Sequence, residues 1–412
     1  MKTGTAASII SGVLYASALA LYLRGLRKNS RQPGTDVPAP GEPDPKEYIT
    51  VLFLCLGSLI LHTAVASGVR LVNGMNVRLA DSLKLYNGLD SRHYFEIARS
   101  GYTVADESGE FLDLVFFPGY PLLTGILMMV LPEMLSGYLA AWIPFLIAGM
   151  TLYRMFRLDC DRQKSLRILL WLCLFPGAVF YSYPMSESLF LAATAGAMYS
   201  ARTKRWLAAG VCGFLAAFTR SVGAILLLPL GMELLKQYSG RFRTDRNRLI
   251  RDGACLLLIP LAAVIYLYIN YATAGDPLAF LQYQKSNWHQ ETGWFFQTAG
   301  YQTDYAVRTW TENPVKFWGL WLPNLAVGFS SLLLMLLRGR RLRASEGAWF
   351  FAYFAVCYGA SWLLSGPRYM AVFYPAAILT EELRIPGIVK GLALAVISVL
   401  YTVLFGLRWS VW

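Results

Sequence analysis

The sequence predicts an all-helical bundle threaded many times through a membrane. Of 412 residues, 56% are hydrophobic and only 15% are charged, against about 25% charged in ordinary soluble domains. Apolar runs approaching the ~20 residues needed to cross a bilayer recur from end to end, and the mean hydropathy is +0.44. Lys and Arg gather in the short stretches between those runs. Lipid forces backbone groups to pair within the segment, and the runs lack the alternation of barrel strands, so helices are the expected element. The net charge of +12 then reads as positive-inside topology rather than nucleic-acid binding.

Residues 6–23 form the first apolar run, followed by Arg24, Arg27, Lys28 and Arg31. A signal peptide carries its positive charge before the apolar stretch. The reversed order predicts an uncleaved helix with its N-terminus outside. Residues 30–46, rich in Pro, Gly and Asp, read as a flexible cytoplasmic linker. Residues 1–47 therefore stand apart as an added helix and linker, before a membrane domain over 48–412. Residues 48–69 run outward into a long mixed segment, 70–117, expected outside. Phe116-Phe117-Pro118-Gly119-Tyr120-Pro121 then opens an apolar stretch to about residue 135, with the prolines of a helix start. A full crossing there would invert the downstream charge pattern, so this stretch is expected to be re-entrant or to lie against the bundle.

Runs over 137–156, 168–183, 189–200, 206–218, 222–235 and 254–271 cross next. Their expected inner ends carry Arg154 to Arg167, Arg202 to Arg205, and Lys236 to Arg251. A second long outer segment covers 274–316. Runs over 317–337, 348–364, 370–383 and 392–407 complete about twelve spans plus one partial one. Several are shorter than the usual range of about 17–25 residues, as expected of Gly- and Pro-broken helices around a polar cavity.

The six cysteines lie in apolar runs, except Cys160 in a basic loop. None pairs with a His at metal-ligand spacing, so neither a disulfide framework nor a metal site is expected. His62, inside an apolar run, reads as a satisfied core histidine. Asp106, Glu107, Glu110 and Asp113 read as a solvated acidic loop, with a metal site as the second reading. No G-x-x-x-x-G-K-[ST] loop is present, and no cofactor is expected.

Four polar segments end apolar runs on the expected outer side: Asp90-Ser91-Arg92-His93-Tyr94, Ser186-Glu187-Ser188, Thr219-Arg220-Ser221 and Gly366-Pro367-Arg368-Tyr369. Charge at membrane depth is costly unless paired or facing a cavity. Asp90 either caps a short helix or, with His93 one turn on, acts as a general base toward a hydroxyl. Ser186 caps the next helix, and Glu187 either complements its positive end or contacts a polyol. Arg220 and Arg368 either snorkel or grip phosphate oxygens, which guanidinium groups bind two at a time. His289 and Trp288 lie in the second outer segment, whose aromatics include interfacial belt residues.

Read in order, these segments resemble the PIG-V family of mannosyltransferases, within the GT-C class of polytopic glycosyltransferases. The likeness runs from about residue 85 to 375. It rests on Asp90-Ser91-Arg92-His93-Tyr94 with Ile97-Ala98 and Gly101-Tyr102, then Phe116 to Leu123, and Phe175-Pro176 with Ser186 to Phe190. Thr219-Arg220, Gly275-Asp276-Pro277 with Trp288, and Arg368-Tyr369 with Pro375 complete it. Leu89 stands where relatives often carry an aromatic residue, and the first helix and its linker fall outside the likeness. The resemblance implies a GT-C fold and an inverting hexosyltransferase. Such an enzyme moves a sugar, typically mannose, from a polyprenyl-phosphate donor to an acceptor hydroxyl on the non-cytoplasmic side, without a nucleotide. It implies Asp90 as base, assisted by His93. Arg220, Arg368, Tyr369, Glu187 and His289 would meet the donor's phosphate and sugar, and Arg92, Tyr94 and Trp288 the acceptor. Expected partners are membrane lipids, the lipid-linked donor and a glycan, glycolipid or protein acceptor. The expected location is a bacterial plasma membrane, with the site facing outward. The alternative function is a lipid or sugar transporter or flippase, which also uses broken helices and buried charge. A noncatalytic assembly subunit is a third reading.

Overall fold

The computed structural model describes residues 2–29, 43–75, 89–409 and 411. Most of the predicted linker (30–42), Arg31, and residues 76–88 of the first outer segment lie outside them. The described chain is helical with no strand, save one isolated bridge between Thr292 and Ala360. Six helical stretches among the described residues are long and apolar enough to cross a membrane: Thr3–Leu26, Pro45–Val72, Glu133–Phe156, Arg246–Ala274, Pro314–Arg341 and Gly387–Gly406. They mark a membrane-embedded chain.

Three other predicted crossings are built from shorter pieces. Residues 168–183 fall into the helix Arg162–Cys173 and a 3₁₀ turn, Pro176–Tyr181. Residues 222–235 divide into the 3₁₀ turn Ser221–Leu226 and the helix Leu227–Gln237. Residues 370–383 hold two short helices, Gly366–Ala371 and Pro375–Glu381. Prolines at 176, 367 and 375 open three of these pieces, where a missing N–H costs nothing. The stretch after Phe116 forms only Gly119–Met128. Ten residues rise about 15 Å, half of a ~30 Å hydrocarbon layer, in keeping with the expected partial element. The second outer segment contains the helices Ala279–Trp288 and Phe295–Glu312.

The chain divides into two compact units. One comprises Met1–Leu83, Phe156–Ser182 and Thr292–Trp412; the other comprises Lys84–Met155 and Tyr183–Glu291.

In the first unit, the N-terminal helix Lys2–Asn29 is built into the packing. Gly4 N–H donates to Asp304 Oδ1 at 2.9 Å, Tyr15 Oη to the Phe351 carbonyl at 3.2 Å, and Tyr22 Oη to the Ala344 carbonyl at 2.6 Å. The next helix, Pro45–Val72, starts at Pro45 with Asp44 capping the Lys46 N–H, so the last residues of the predicted linker are helical. His62 is fully buried, with Nδ1 2.7 Å from the Ser58 carbonyl and Nε2 2.9 Å from Ser398 Oγ. It is the satisfied core histidine that its apolar surroundings predict. Residues predicted to share the inner face meet at one acidic pair. Glu382 takes Lys164 at 2.5 Å and Arg341 at 3.6 Å, and Glu381 takes Arg167 at 2.8 Å and Lys390 at 3.3 Å.

The second unit shows the same sorting. Arg154 lies over the Tyr199 ring at 5.1 Å, and Arg202 donates to the Met155 carbonyl at 3.3 Å, joining two predicted inner ends. Its core holds Tyr94, Ile97, Phe116, Tyr120, Ala140 and Leu189. The predicted outer ends meet on a separate set of contacts, which form the site described next.

Candidate active site

The helix Ser91–Ser100 buries Ser91, Tyr94, Phe95 and Ile97 on one face and leaves Arg92 and Arg99 exposed. It stops at Gly101, whose φ of 67° suits glycine. Asp90 occupies the N-cap position, yet its side chain makes no capping hydrogen bond; only its carbonyl serves the helix, accepting Tyr94 N–H at 3.1 Å. Capping does not consume the carboxylate, which is partly exposed. The residue before it, Leu89, has φ +55°. A leucine in the left-handed region costs roughly 1–2 kcal/mol, and such strain persists where surrounding structure holds it. Here it sets the direction in which the chain delivers Asp90.

Three contacts bring distant segments to this helix. Ser91 Oγ donates to the Pro184 carbonyl at 2.8 Å. Tyr94 Oη donates to Ser186 Oγ at 3.1 Å, and Arg220 Nη1 reaches the same Oγ at 3.3 Å. Arg220 Nη1 also pairs with Glu187 Oε1. Ser186 sits at the N-cap of the helix Glu187–Arg202 but makes no side-chain cap; its hydroxyl is used between Tyr94 and Arg220 instead. The Glu187 side chain is fully buried and that of Arg220 is 12% exposed. Glu187 therefore acts by holding the guanidinium in place, and Arg220 keeps the outward access. Gly119 completes the packing: a Cβ there would lie 2.5 Å from Thr219 Oγ1 and 2.9 Å from the Phe218 carbonyl, so only glycine admits this approach.

His93 points from the same helix toward a residue the sequence reading left in solvent. Its Nδ1 is 2.7 Å from Asp113 Oδ1, and Asp113 is 7% exposed. Asp106 and Glu107 are exposed as expected. Asp106 accepts from Ser108 N–H and Oγ and from Glu110 N–H, and these bonds, the Ser108 hydroxyl first, lower its pKa. The acidic loop thus ends in one buried carboxylate, on the turn Leu112–Val115. Tyr266 Oη holds that turn by donating to the Leu114 carbonyl. The His93 ring stacks on Phe116 with centroids 4.5 Å apart, and Trp288 meets it edge-on at 6.1 Å. Tyr102 Oη donates to the Phe116 carbonyl at 2.6 Å; burial pushes its phenol well above the ordinary value, so it stays a donor.

One unit thus gathers Asp90, His93, Tyr94, Asp113, Ser186, Glu187, Arg220 and Trp288. Arg92, on the exposed face, and His289, exposed in a left-handed turn with φ +54° after Trp288, lie at the ends of the same two helices. Arg368 and Tyr369 belong to the other unit. Arg368, 5% exposed, lies over the Phe180 ring at 5.5 Å, and the Tyr369 carbonyl accepts from Tyr353 Oη at 2.7 Å. Asp113, which the sequence placed in a solvated loop, and Ser186, which it read as a cap, join the site through contacts that sequence reasoning missed. The signal for Asp113 was its place three residues before Phe116, at the apolar end of an otherwise polar stretch.

Among the described residues, no group of three His, Cys, Asp or Glu side chains could hold a metal ion. Compared with protein-family models and with curated proteins, the chain matches none.

Proposed function

We propose that this chain is a membrane glycosyltransferase of the GT-C class, similar to the PIG-V mannosyltransferases, with about twelve crossings when the shorter helices are counted. It moves a sugar, mannose in our reading, from a polyprenyl-phosphate donor to an acceptor hydroxyl on the extracytoplasmic side of a bacterial plasma membrane. The observation that carries this reading is the meeting of the helix that holds Asp90 and His93 with Arg220, from a distant segment, at Ser186, with the Asp90 carboxylate not committed to a cap. In the reaction Asp90 removes the hydroxyl proton as the new C–O bond forms on the opposite face of the anomeric carbon, and the lipid phosphate departs. Arg220, braced by Glu187, meets the charge growing on that phosphate. His289, Arg92, Tyr94 and Trp288 serve donor or acceptor contacts. Within the unit that holds Asp90, Arg154 and Arg202 contact Tyr199 and the Met155 carbonyl rather than the Asp90, Glu187 and Arg220 segments, which supports the sidedness.

The test is purified protein in detergent micelles with radiolabelled polyprenyl-phosphate mannose and an alkyl mannoside. A glycosylated product, formed with no second compartment, is the expected result. Absence of product, together with movement of the labelled lipid across sealed vesicles, would replace the transferase by a transporter.

A further inference from the structure

The Asp113–His93 pair has a chemical consequence that general-base chemistry at Asp90 does not contain. A carboxylate is acceptor-only, so the 2.7 Å contact with Nδ1 places a proton on Nδ1. In the neutral ring Nε2 then carries the lone pair. Nε2 has no hydrogen-bond partner among the described residues. Rotation of the ring is restricted by the Phe116 stack and the Trp288 edge, and the side chain keeps 17% exposure. Asp113 itself cannot swing away, because its turn is pinned on both sides. Leu114 accepts from Tyr266 Oη and Phe116 accepts from Tyr102 Oη. Asp90 and His93 are three residues apart, one turn along the same helix, where side chains are neighbours.

From this the geometry points to Asp113 as a positioning residue: it locks His93 in the Nδ1–H form, with Nε2 ready to take the proton that Asp90 collects. One proton leaves the acceptor hydroxyl per transfer and has to reach solvent. It passes from the Asp90 carboxyl to Nε2, giving an imidazolium that the Asp113 carboxylate stabilises, and then to water. Asp90 is restored as carboxylate, and Asp113 is never protonated. The proton-relay half of this inference rests on the transferase reading; the tautomer half does not.

The chain has only three histidines, which makes the tautomer directly measurable. Full-length protein carrying ¹⁵N-labelled histidine is reconstituted in nanodiscs at a pH where the rings are neutral, and His93 is assigned through His93→Gln. Wild type is expected to show the Nδ1–H form at His93. Asp113→Asn should move that signal toward the Nε2–H form and leave His62 and His289 unmoved; Asp113→Glu should keep it. With polyprenyl-phosphate mannose and an alkyl mannoside, Asp113→Asn should lower kcat about 10–100-fold with KM little changed. An Nε2–H form in wild type overturns the proposal without any variant. An unmoved His93 signal in Asp113→Asn does the same. A shifted tautomer with unchanged kcat overturns the relay. A shifted tautomer with no transfer by wild type upholds the positioning role and defeats the transferase reading instead.

Discussion

Removing both members of the Glu187–Arg220 pair should cost well under the sum of removing each alone. The Glu187 side chain is fully buried and that of Arg220 is 12% exposed, so Glu187→Gln leaves a guanidinium almost wholly out of solvent. Arg220→Gln leaves a carboxylate with no exposure at all. Breaking a buried pair costs about 3–5 kcal/mol, whereas replacing both members is often near neutral. Arg220 keeps a slight exposure and a contact to Ser186 Oγ at 3.3 Å, so Glu187→Gln belongs at the lower end, about 3 kcal/mol. Arg220→Gln belongs nearer the upper end. The Glu187→Gln, Arg220→Gln double variant should lose well under the sum of the two. A coupling of at least about 2 kcal/mol is expected, within the range for contacting residues. Thermal unfolding of purified protein in a fixed detergent, with all four members of the cycle, measures it. A neutral Glu187→Gln, or additive losses, would show that the pair does not hold the guanidinium.

Four further outcomes follow from the same contacts. Tyr94→Phe removes the donor to Ser186 Oγ at 3.1 Å and should lower stability by about 1 kcal/mol; an unchanged melting temperature would mean that the hydroxyl contributes nothing. Gly119→Val sets a side chain against Thr219 and the Phe218 carbonyl, with an expected loss of about 1–3 kcal/mol and reduced transfer, and full stability would contradict that close approach. Leu89→Gly releases about 1–2 kcal/mol of left-handed strain and should raise the melting temperature while lowering turnover, because Asp90 loses its fixed direction; a lowered melting temperature would assign Leu89 to packing. The one-bond carbon–proton coupling at the anomeric carbon of the product should show the configuration opposite to that of the donor, and retention would exclude direct displacement by the acceptor.

Helical class, the six helices long and apolar enough to cross a membrane and the short helix after Phe116 were legible because each depends on residues adjacent in the chain. The core role of His62 was legible for the same reason: an apolar run leaves a lone imidazole to be satisfied by neighbours. Crossing lengths were less so. Hydropathy sees residues 370–383 as one run, whereas the 3₁₀ and short helical pieces there arise from prolines whose effect on the backbone is local. At the site, the capping explanations for Asp90 and Ser186 were sound on spacing alone. Only coordinates show that neither side chain caps, and that Ser186 sits between Tyr94 and Arg220. Asp113 was illegible because its acidic neighbours Asp106 and Glu107 are exposed, and the turn that carries it is held by Tyr266, far along the chain. Glu187 was legible as a site member but not as the brace of Arg220, a pairing across 33 positions.

The transferase account turns on the Asp90 carboxylate, and Asp90→Asn tests it at the atom concerned. The amide matches the carboxylate in shape and no cap is lost, so the variant should still fold and insert. Its turnover of polyprenyl-phosphate mannose should fall by about 10²–10⁴-fold, the contribution of one general base. Near-wild-type turnover by correctly folded Asp90→Asn would contradict the account.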